Sequence, residues 1–308
     1  MAEPAILKTL QGWQPALPLA VAYSGGADST ALLWACAQRF PGQVSAIHVN
    51  HGLQAAAADF EAHCVRQCAG WGIVLQVAAV HAQHAPRHSP EDAARIARYQ
   101  ALSHLALNSR AEEAIKTVAL AQHADDQVET VLLALSRGAG VAGLAGMRSA
   151  WLRDGLCWER PYLGLGSQQI RDDLQCLGVD WIDDPTNADA AFTRNRIRAK
   201  VTPALQEAFP QFVQTLSRSA AHAAQAAELL DDLAQVDLQT VGAPPAIKPL
   251  QALSGARLGN VLRYWLRTVY GQTPTAAQLA QLMRQLRSCT TRGHQIHLKI
   301  GNGIVERQ

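Results

Sequence analysis

The stretch Leu-Pro-Leu-Ala-Val-Ala-Tyr-Ser-Gly-Gly-Ala-Asp-Ser-Thr, residues 17–30, decides the fold. Its apolar part, Leu17–Tyr23, is typical of a buried strand, and a glycine pair joins it to a helix-like segment, Ser29–Arg39. Glycines let the backbone approach a phosphate group closely, and a helix N-terminus offers unpaired N–H donors. The stretch therefore predicts a nucleotide-binding loop formed by Ser24, Gly25, Gly26, Ala27, Asp28, Ser29 and Thr30.

Asp28 is unexpected in a loop that binds anions, because a carboxylate repels phosphate unless Mg²⁺ lies between them. We therefore predict Asp28 as a Mg²⁺ ligand. The alternative is that Asp28 or Ser29 caps a helix after an ordinary tight turn. The loop lacks the Gly-x-x-x-x-Gly-Lys-Ser/Thr arrangement, with its lysine, that is found in kinases and GTPases.

Alternating strand-like and helix-like segments follow this loop. The further strands are predicted at Val44–Val49, Ile73–Val80 and Ile115–Ala121, and the further helices at Ala57–Trp71, Glu91–Leu107 and Asp126–Ser136. This order predicts an α/β fold, a Rossmann-like parallel sheet with helices on both faces. Ligands of such sheets bind beyond the carboxyl ends of the strands.

The second half of the chain is different in character. Residues 137–200 are irregular and rich in glycine, a long helix is predicted at Pro210–Val236, and a linker at Gly242–Ala246. Two helices and a terminal hairpin are then predicted, at Leu258–Val269, Thr275–Leu286 and 294–307. We predict a catalytic domain at 1–208, a connecting segment at 209–247, and a small basic helical domain at 248–308.

Charge is distributed unevenly along the chain. Nine basic residues and one acidic residue give residues 248–308 a net charge of +8, and the total of +2 leaves −6 for residues 1–247. A basic module on an acidic body indicates a polyanionic partner such as nucleic acid. A merely solvated basic surface on a small helical domain is the alternative.

Composition excludes several other classes of protein. Hydrophobic residues make up 48% of the chain and charged residues 17%, which is typical of a globular protein, and no apolar run is long enough to cross a membrane. The N-terminal residues do not resemble a secretory signal. Six cysteines without a Cys-x-x-Cys pair favour free thiols and a cytoplasmic protein over a metal or redox site, although Cys64 and Cys68 lie four residues apart.

Polar strings follow the predicted strands at the edge where a ligand would bind. One string, His48–Leu53, contains His48 and Asn50, and another, Ala121–Thr130, contains His123, Asp125 and Asp126. A helix opens at Glu91 with Arg95 four residues later, a spacing that also suits a simple intrahelical ion pair. Acids at the start of a helix are also favoured by its dipole, but the second string as a whole is typical of a catalytic site.

The loop at 24–29 resembles that of the PP-loop ATP pyrophosphatases. The strings that follow it, together with Arg160-Pro161, Asp183–Asn187 and Arg194-Asn195-Arg196-Ile197-Arg198, are similar in kind and order to those of the tRNA(Ile)-lysidine synthetases across residues 17–200. The resemblance implies that ATP adenylates the wobble cytidine of a tRNA(Ile) with a CAU anticodon. L-Lysine then displaces AMP to form lysidine.

The resemblance also implies roles for individual residues. Catalytic roles fall to Asp28, His123, Asp125, Asp126 and Arg194, and nucleotide binding to the loop with His48, Asn50 and Arg95. Arg194, Arg196, Arg198 and Lys200 recur at alternate positions and suit contact with the tRNA backbone, as do the C-terminal arginines Arg257, Arg263, Arg267, Arg284 and Arg287.

The sequence departs from the family pattern at two positions. Gln54 stands where a basic residue often closes the first string, and Gln122 where a second histidine often precedes the acids. The C-terminal part is also short for the family. Two alternatives stay open, a PP-loop tRNA thiolase and a non-catalytic nucleotide-binding or RNA-binding protein, and so does the oligomeric state, including a homodimer.

Overall fold

The computed structural model describes residues 3–50, 57–80, 90–109, 114–183, 192–291 and 293–307. The chain forms two compact units, residues 1–221 and 222–308, and the division falls within a long helix. The domain boundaries at 208 and 247 given above stay predictions. Gln54, Asp184 and Asn187 lie outside the described residues.

A six-stranded sheet forms the centre of the first unit. Its strands are β1 (Leu19–Ala22), β2 (Val44–Asn50), β3 (Val74–Ala79), β4 (Thr117–Ala119), β5 (Ala150–Arg153) and β6 (Leu156–Glu159). Their order is β3-β2-β1-β4-β6-β5, and every neighbouring pair is parallel except β5 and β6. The predicted α/β fold is confirmed, with β1 in the interior of the sheet between β2 and β4.

Helices cover both faces of this sheet. They are α1 (Ala5–Lys8), α2 (Ala27–Arg39), α3 (Ala57–Trp71), α4 (Pro90–Leu107), α5 (Ala124–Ser136), α6 (Val141–Leu144), α7 (Ser167–Leu177), α8 (Thr193–Arg196) and α9 (Thr202–Ala208), with a π-helical turn at Ile197–Val201. Alternate residues of β1 point to opposite faces, so Leu19 and Val21 join one core while Ala20 joins the other.

The sequence-based prediction missed a hairpin within residues 137–200. Strands β5 and β6 pair there through a turn at Asp154 and Gly155, which have positive φ angles of 54° and 77°. An Asp-Gly pair between short apolar segments is a strong signal for such a turn. Two of the predicted helices also begin earlier than expected, at Ala27 and Ala124, because residues of the preceding loop complete their first turns.

The second unit is smaller and mainly helical. It contains the end of α10 (Phe212–Val241), then α11 (Ile247–Ala252), α12 (Gly255–Tyr270) and α13 (Ala276–Ser288), and the hairpin of β7 (His297–Ile300) and β8 (Gly303–Glu306). Leu262, Leu266 and Leu282 are among its buried core residues, and the ring of Trp265 packs against that core. Among the described residues, no helix has the length and apolar content needed to span a membrane.

Candidate active site at the carboxyl ends of β1 and β4

The loop between β1 and α2 is held in shape by its own hydroxyl groups. The backbone N–H of Ser24 donates to Ser29 Oγ (3.1 Å), and that hydroxyl donates to the carbonyl oxygen of Gly26 (3.1 Å). Thr30 Oγ1 donates to the carbonyl oxygen of Gly25 (3.3 Å). These bonds hold the loop in a fixed conformation at the N-terminus of α2, where a phosphate group would meet backbone N–H donors.

Gly25 is the position in this loop where a side chain would not fit. Its φ angle is +85°, in the left-handed region that side chains disfavour, and an added Cβ atom would lie 3.1 Å from Cys64 Sγ. Its carbonyl oxygen also accepts the backbone N–H of Ile182 (3.0 Å). The segment that leads into the Asp183 string therefore contacts the loop directly.

His123 lies among three carboxylates at the adjacent ends of β1 and β4. Its Nε2 atom is 3.5 Å from Asp28 Oδ2 and 3.5 Å from Asp126 Oδ2, and its Nδ1 atom is 3.6 Å from Asp125 Oδ2. Asp125 also accepts the backbone N–H of Ser167 (2.8 Å). Because β1 and β4 are neighbours in the sheet, the structure brings together four of the five residues predicted as catalytic.

The carboxylates around this histidine favour its protonated form. Burial alone would lower the pKa of His123, but the neighbouring carboxylates of Asp125, Asp28 and Asp126 raise it to about 10. Burial alone would raise the pKa of Asp125, but the neighbouring imidazole of His123 and the hydrogen bond from the Ser167 N–H hold that pKa below its usual value. A protonated imidazole cannot accept a further proton, so this environment favours a charge-stabilising role for His123 over the role of a base.

Arg198 and Glu129 extend the cluster, although the sequence analysis did not assign them to the catalytic site. The Nε atom of Arg198 donates to Glu129 Oε1 (2.7 Å), and its Nη2 atom is 3.3 Å from Asp126 Oδ1. Glu129 is only 1% exposed, and burial raises its pKa against the opposing charge of Arg198. The positive charge of Arg194, one turn earlier, also acts on Glu129. The prediction that Arg198 suits contact with the tRNA backbone did not include its place in this cluster.

A spacing in the sequence could have identified Glu129. Asp126 and Glu129 are three residues apart on α5, so the two side chains lie on one face of the helix. Arg198 had no comparable signal, since it lies in the π-helical turn at Ile197–Val201. That turn changes the helical spacing and hence the directions in which side chains point, and such turns are frequent at functional sites.

The remaining predicted nucleotide-binding residues lie around the loop. His48 is buried, and its Nδ1 atom is 2.9 Å from the carbonyl oxygen of Tyr23 at the end of β1. Asn50 Nδ2 donates to Glu61 Oε2 (2.9 Å), so this amide group contacts α3. Arg95 lies on α4 and contributes a positive charge that acts on the guanidinium of Arg160. These roles in nucleotide binding stay predictions.

Asp28 has the chemistry that a Mg²⁺ ligand needs. Its Oδ1 atom is buried and has no hydrogen-bond partner among the described residues. No group of three or more His, Cys, Asp or Glu side chains in the described part of the chain is arranged to hold a metal alone. Mg²⁺ in nucleotide sites commonly uses one or two carboxylates together with substrate phosphates, so the lone Asp28 carboxylate fits that ion.

The two neighbouring cysteines of α3 do not have the character of reactive thiols. Cys64 and Cys68 are both buried and free. Burial raises the pKa of Cys64 to about 12 and that of Cys68 to about 11. A thiol attacks as the thiolate, which is scarce at neutral pH when the pKa is this high. The geometry therefore disfavours the thiolase alternative.

Two family models match the chain, a PP-loop domain over residues 3–205 and a TilS substrate binding domain over residues 246–308. A solved structure, the U34-tRNA thiolase NcsA from Methanococcus maripaludis with its 4Fe-4S cluster, is similar in fold with a TM-score of 0.59. It is 16% identical, and the match covers 70% of this chain and 75% of that one.

Curated relatives give a closer comparison. The tRNA(Ile)-lysidine synthase of Polaromonas naphthalenivorans is 56% identical over 94% of this chain and 87% of its own length. The enzyme of the same name from Bordetella pertussis is 38% identical over 91% of this chain and 90% of its own length. That of Burkholderia pseudomallei is 43% identical over 88% of this chain but only 56% of its own length. With both family models and these identities, the chain belongs to the tRNA(Ile)-lysidine synthase family.

Proposed function

We propose that this protein ligates L-lysine to C2 of the wobble cytidine in a tRNA(Ile) with a CAU anticodon. ATP would first adenylate the cytosine and release pyrophosphate, and lysine would then displace AMP. The observation that carries this proposal is the Asp28–His123–Asp126 cluster, which lies beside the phosphate-binding loop in a chain of this family. ATP use and a tRNA substrate follow from the family, while lysine as the second substrate is part of the proposal.

Release of pyrophosphate is the step that the loop and His123 would serve. Negative charge develops on the departing group, and preorganised donors and cations at that place lower the barrier. Backbone N–H groups at the start of α2 would hold the phosphates, and the His123 imidazolium adds a positive charge 3.5 Å from Asp28. Asp28 would hold Mg²⁺, which when bound neutralises phosphate charge.

Attack by lysine requires a proton acceptor other than His123. A carboxylate with a raised pKa accepts a proton more readily near neutral pH than one with a lowered pKa. Asp125 is held below its usual pKa, whereas the pKa of Glu129 is raised, and Glu129 Oε2 is buried without a hydrogen-bond partner among the described residues. We therefore assign Glu129, with Asp126 beside it, to bind the lysine ammonium and accept its proton.

Binding of tRNA by the second unit would depend on fewer arginines than the sequence indicated. Arg257 pairs with the fully buried Asp237, and Arg267 Nη2 lies 2.7 Å from both oxygens of Asp231. The acidic end of α10 thus neutralises two of the five arginines expected to contact phosphates. Exposed basic side chains without an ion-pair partner in the described part of the chain are the better candidates, namely Lys248, Arg263, Arg284, Arg287 and Lys299.

The direct test is lysine incorporation into tRNA. The protein is incubated with ATP, labelled lysine and transcripts that carry either a CAU anticodon or one with another base at the wobble position. We expect label only in the CAU transcript and only with ATP, together with release of AMP and pyrophosphate. Incorporation that ignores the wobble base, or proceeds without ATP, would refute the proposed function.

A further inference from the structure

Arg160 follows β6, and its hydrogen-bond acceptors among the described residues are all uncharged. Its Nε atom donates to Gln122 Oε1 (2.9 Å), Nη1 to the carbonyl oxygen of Arg148 (2.7 Å), and Nη2 to the Tyr99 hydroxyl (2.9 Å). A guanidinium carries five N–H donors, so these three bonds leave donors unused. Gln122 immediately precedes His123, and the charge of Asp126 acts on Arg160, so this cation lies near the catalytic cluster.

Aromatic rings fix the plane of this guanidinium. Its central carbon lies 4.2 Å from the centroid of the Trp151 ring, a close cation–π contact. The Trp151 ring stacks on buried Trp158, with centroids 5.9 Å apart and an interplanar angle of 16°, and Tyr99 packs against Trp158 at 5.1 Å. A cation held in this way loses little further conformational entropy when it binds a ligand.

The charge of Arg160 is not compensated within the described structure. No carboxylate there lies within ion-pair distance of it, although the side chain is half-buried. Burial lowers the pKa of Arg160, and so does the charge of Arg95, against opposing effects of Tyr99 and Asp126. A desolvated cation without a counter-ion is unfavourable, and an anionic ligand would relieve that cost.

We propose that Arg160 binds a phosphate group of a substrate, and that Gln122, Tyr99 and Trp151 are the residues that position it. The inference rests on the proposed function, because it takes tRNA and ATP as the molecules that bring phosphate to this site. A phosphodiester of the tRNA backbone near the wobble cytidine is the expected source, and ATP is the other. On this view Gln122, where the family often has histidine, supplies the acceptor that orients the guanidinium.

The test compares Arg160→Met and Arg160→Lys with a matched control, Arg153→Met. Arg153 belongs to the same aromatic cluster, with its Cζ atom 5.7 Å from the Tyr99 ring, but it already pairs with Asp154 (3.3 Å). The dissociation constant for the CAU transcript is measured over a range of salt concentrations without ATP or lysine. The dissociation constant for ATP and the thermal midpoint are measured for every variant.

We expect Arg160→Met to weaken tRNA binding by about tenfold and to reduce the salt slope by about one. Arg160→Lys retains the positive charge, so it should keep the salt slope of tRNA binding while losing part of the affinity for tRNA. The control Arg153→Met should change neither the salt slope nor the affinity. Weaker ATP binding with unchanged tRNA binding would instead assign the phosphate to ATP. If both Arg160 variants bind both substrates like the wild type, the proposal is wrong, whatever their thermal midpoints.

These readouts separate this inference from the proposed function. Binding of tRNA and ATP is measured whether or not lysine is incorporated, so failure of the incorporation assay leaves the result for Arg160 interpretable. Conversely, a wild-type protein that makes lysidine while the Arg160 variants bind normally would overturn only the role of Arg160.

Discussion

Replacement of His123 by glutamine should remove a specific pH dependence from the stability of the first unit. The wild-type imidazole is 4% exposed and lies among Asp28, Asp125 and Asp126, which together raise its pKa to about 10. Glutamine keeps a polar side chain of similar reach but stays neutral at every pH. The variant therefore tests the charge of the histidine and leaves the surrounding fold in place.

The size and sign of the effect follow from proton linkage. In the unfolded chain His123 loses its proton near 6.5, and in the folded protein near 10. Below pH 6.5 both states are protonated and the stabilisation is complete. Between these values the folded state holds one more proton, so the free energy of unfolding falls by about 1.4 kcal/mol for each pH unit. Above pH 10 the contribution is lost.

Urea unfolding at several pH values between about 7 and 9 measures this slope. Over that range the wild type should lose about 3 kcal/mol relative to His123→Gln, because titrating groups away from His123 are common to both proteins and cancel in the difference. An NMR titration of the His123 ring gives the folded-state pKa directly. Equal slopes for the two proteins, or a ring that titrates near 6.5, would refute the assignment of His123 as a cation.

Three further predictions concern the loop and the second unit. Asp28→Asn should abolish pyrophosphate release while the thermal midpoint stays near that of the wild type, and undiminished release would remove Asp28 from the mechanism. Gly25→Ala should lower the free energy of unfolding by about 1–2 kcal/mol and weaken ATP binding, because of the positive φ and the contact with Cys64; a urea titration and an ATP titration check this. Arg263→Gln should reduce the salt slope of tRNA binding by about one. Arg267→Gln should reduce it less, because Arg267 is already paired with Asp231 in the free protein. Equal slopes for the wild type and both variants would argue against contact between the second unit and tRNA.

The parts of the fold that depend on local patterns were predictable from sequence. The apolar run before Ser24 and the glycine pair after it define β1, the loop and α2, since each signal lies within a few residues of the element it specifies. The β5–β6 hairpin was missed because its four-residue strands lie in a glycine-rich stretch without a longer apolar run around them, whereas the run before Ser24 extends over Leu17–Tyr23. Periodicity over so short a segment cannot distinguish a strand from a loop.

The site depends on contacts between distant parts of the chain, and this limits what a sequence can show. Arg198 donates a hydrogen bond to Glu129, which lies sixty-nine residues earlier in the chain. Arg198 is part of a π-helical turn, and no spacing rule predicts such a turn from sequence. Arg257 and Arg267 seemed suited to bind phosphate because their acidic partners belong to a different helix. In both cases the sequence shows the charged residues, but it does not show which residue forms an ion pair with which.

The protonation state of His123 shows why contacts between distant residues decide the mechanism. A histidine beside two aspartates in sequence is as suitable for a base as for a cation. Strand order resolves this, because β1 lies next to β4 and brings the third carboxylate, Asp28, to the same imidazole. Three acids around the ring favour its protonated form, so in the proposed reaction a carboxylate with a raised pKa is the better acceptor for the lysine proton. Among the carboxylates of the cluster, burial raises the pKa of Glu129, and we therefore propose this residue, one helical turn after Asp126, as that acceptor.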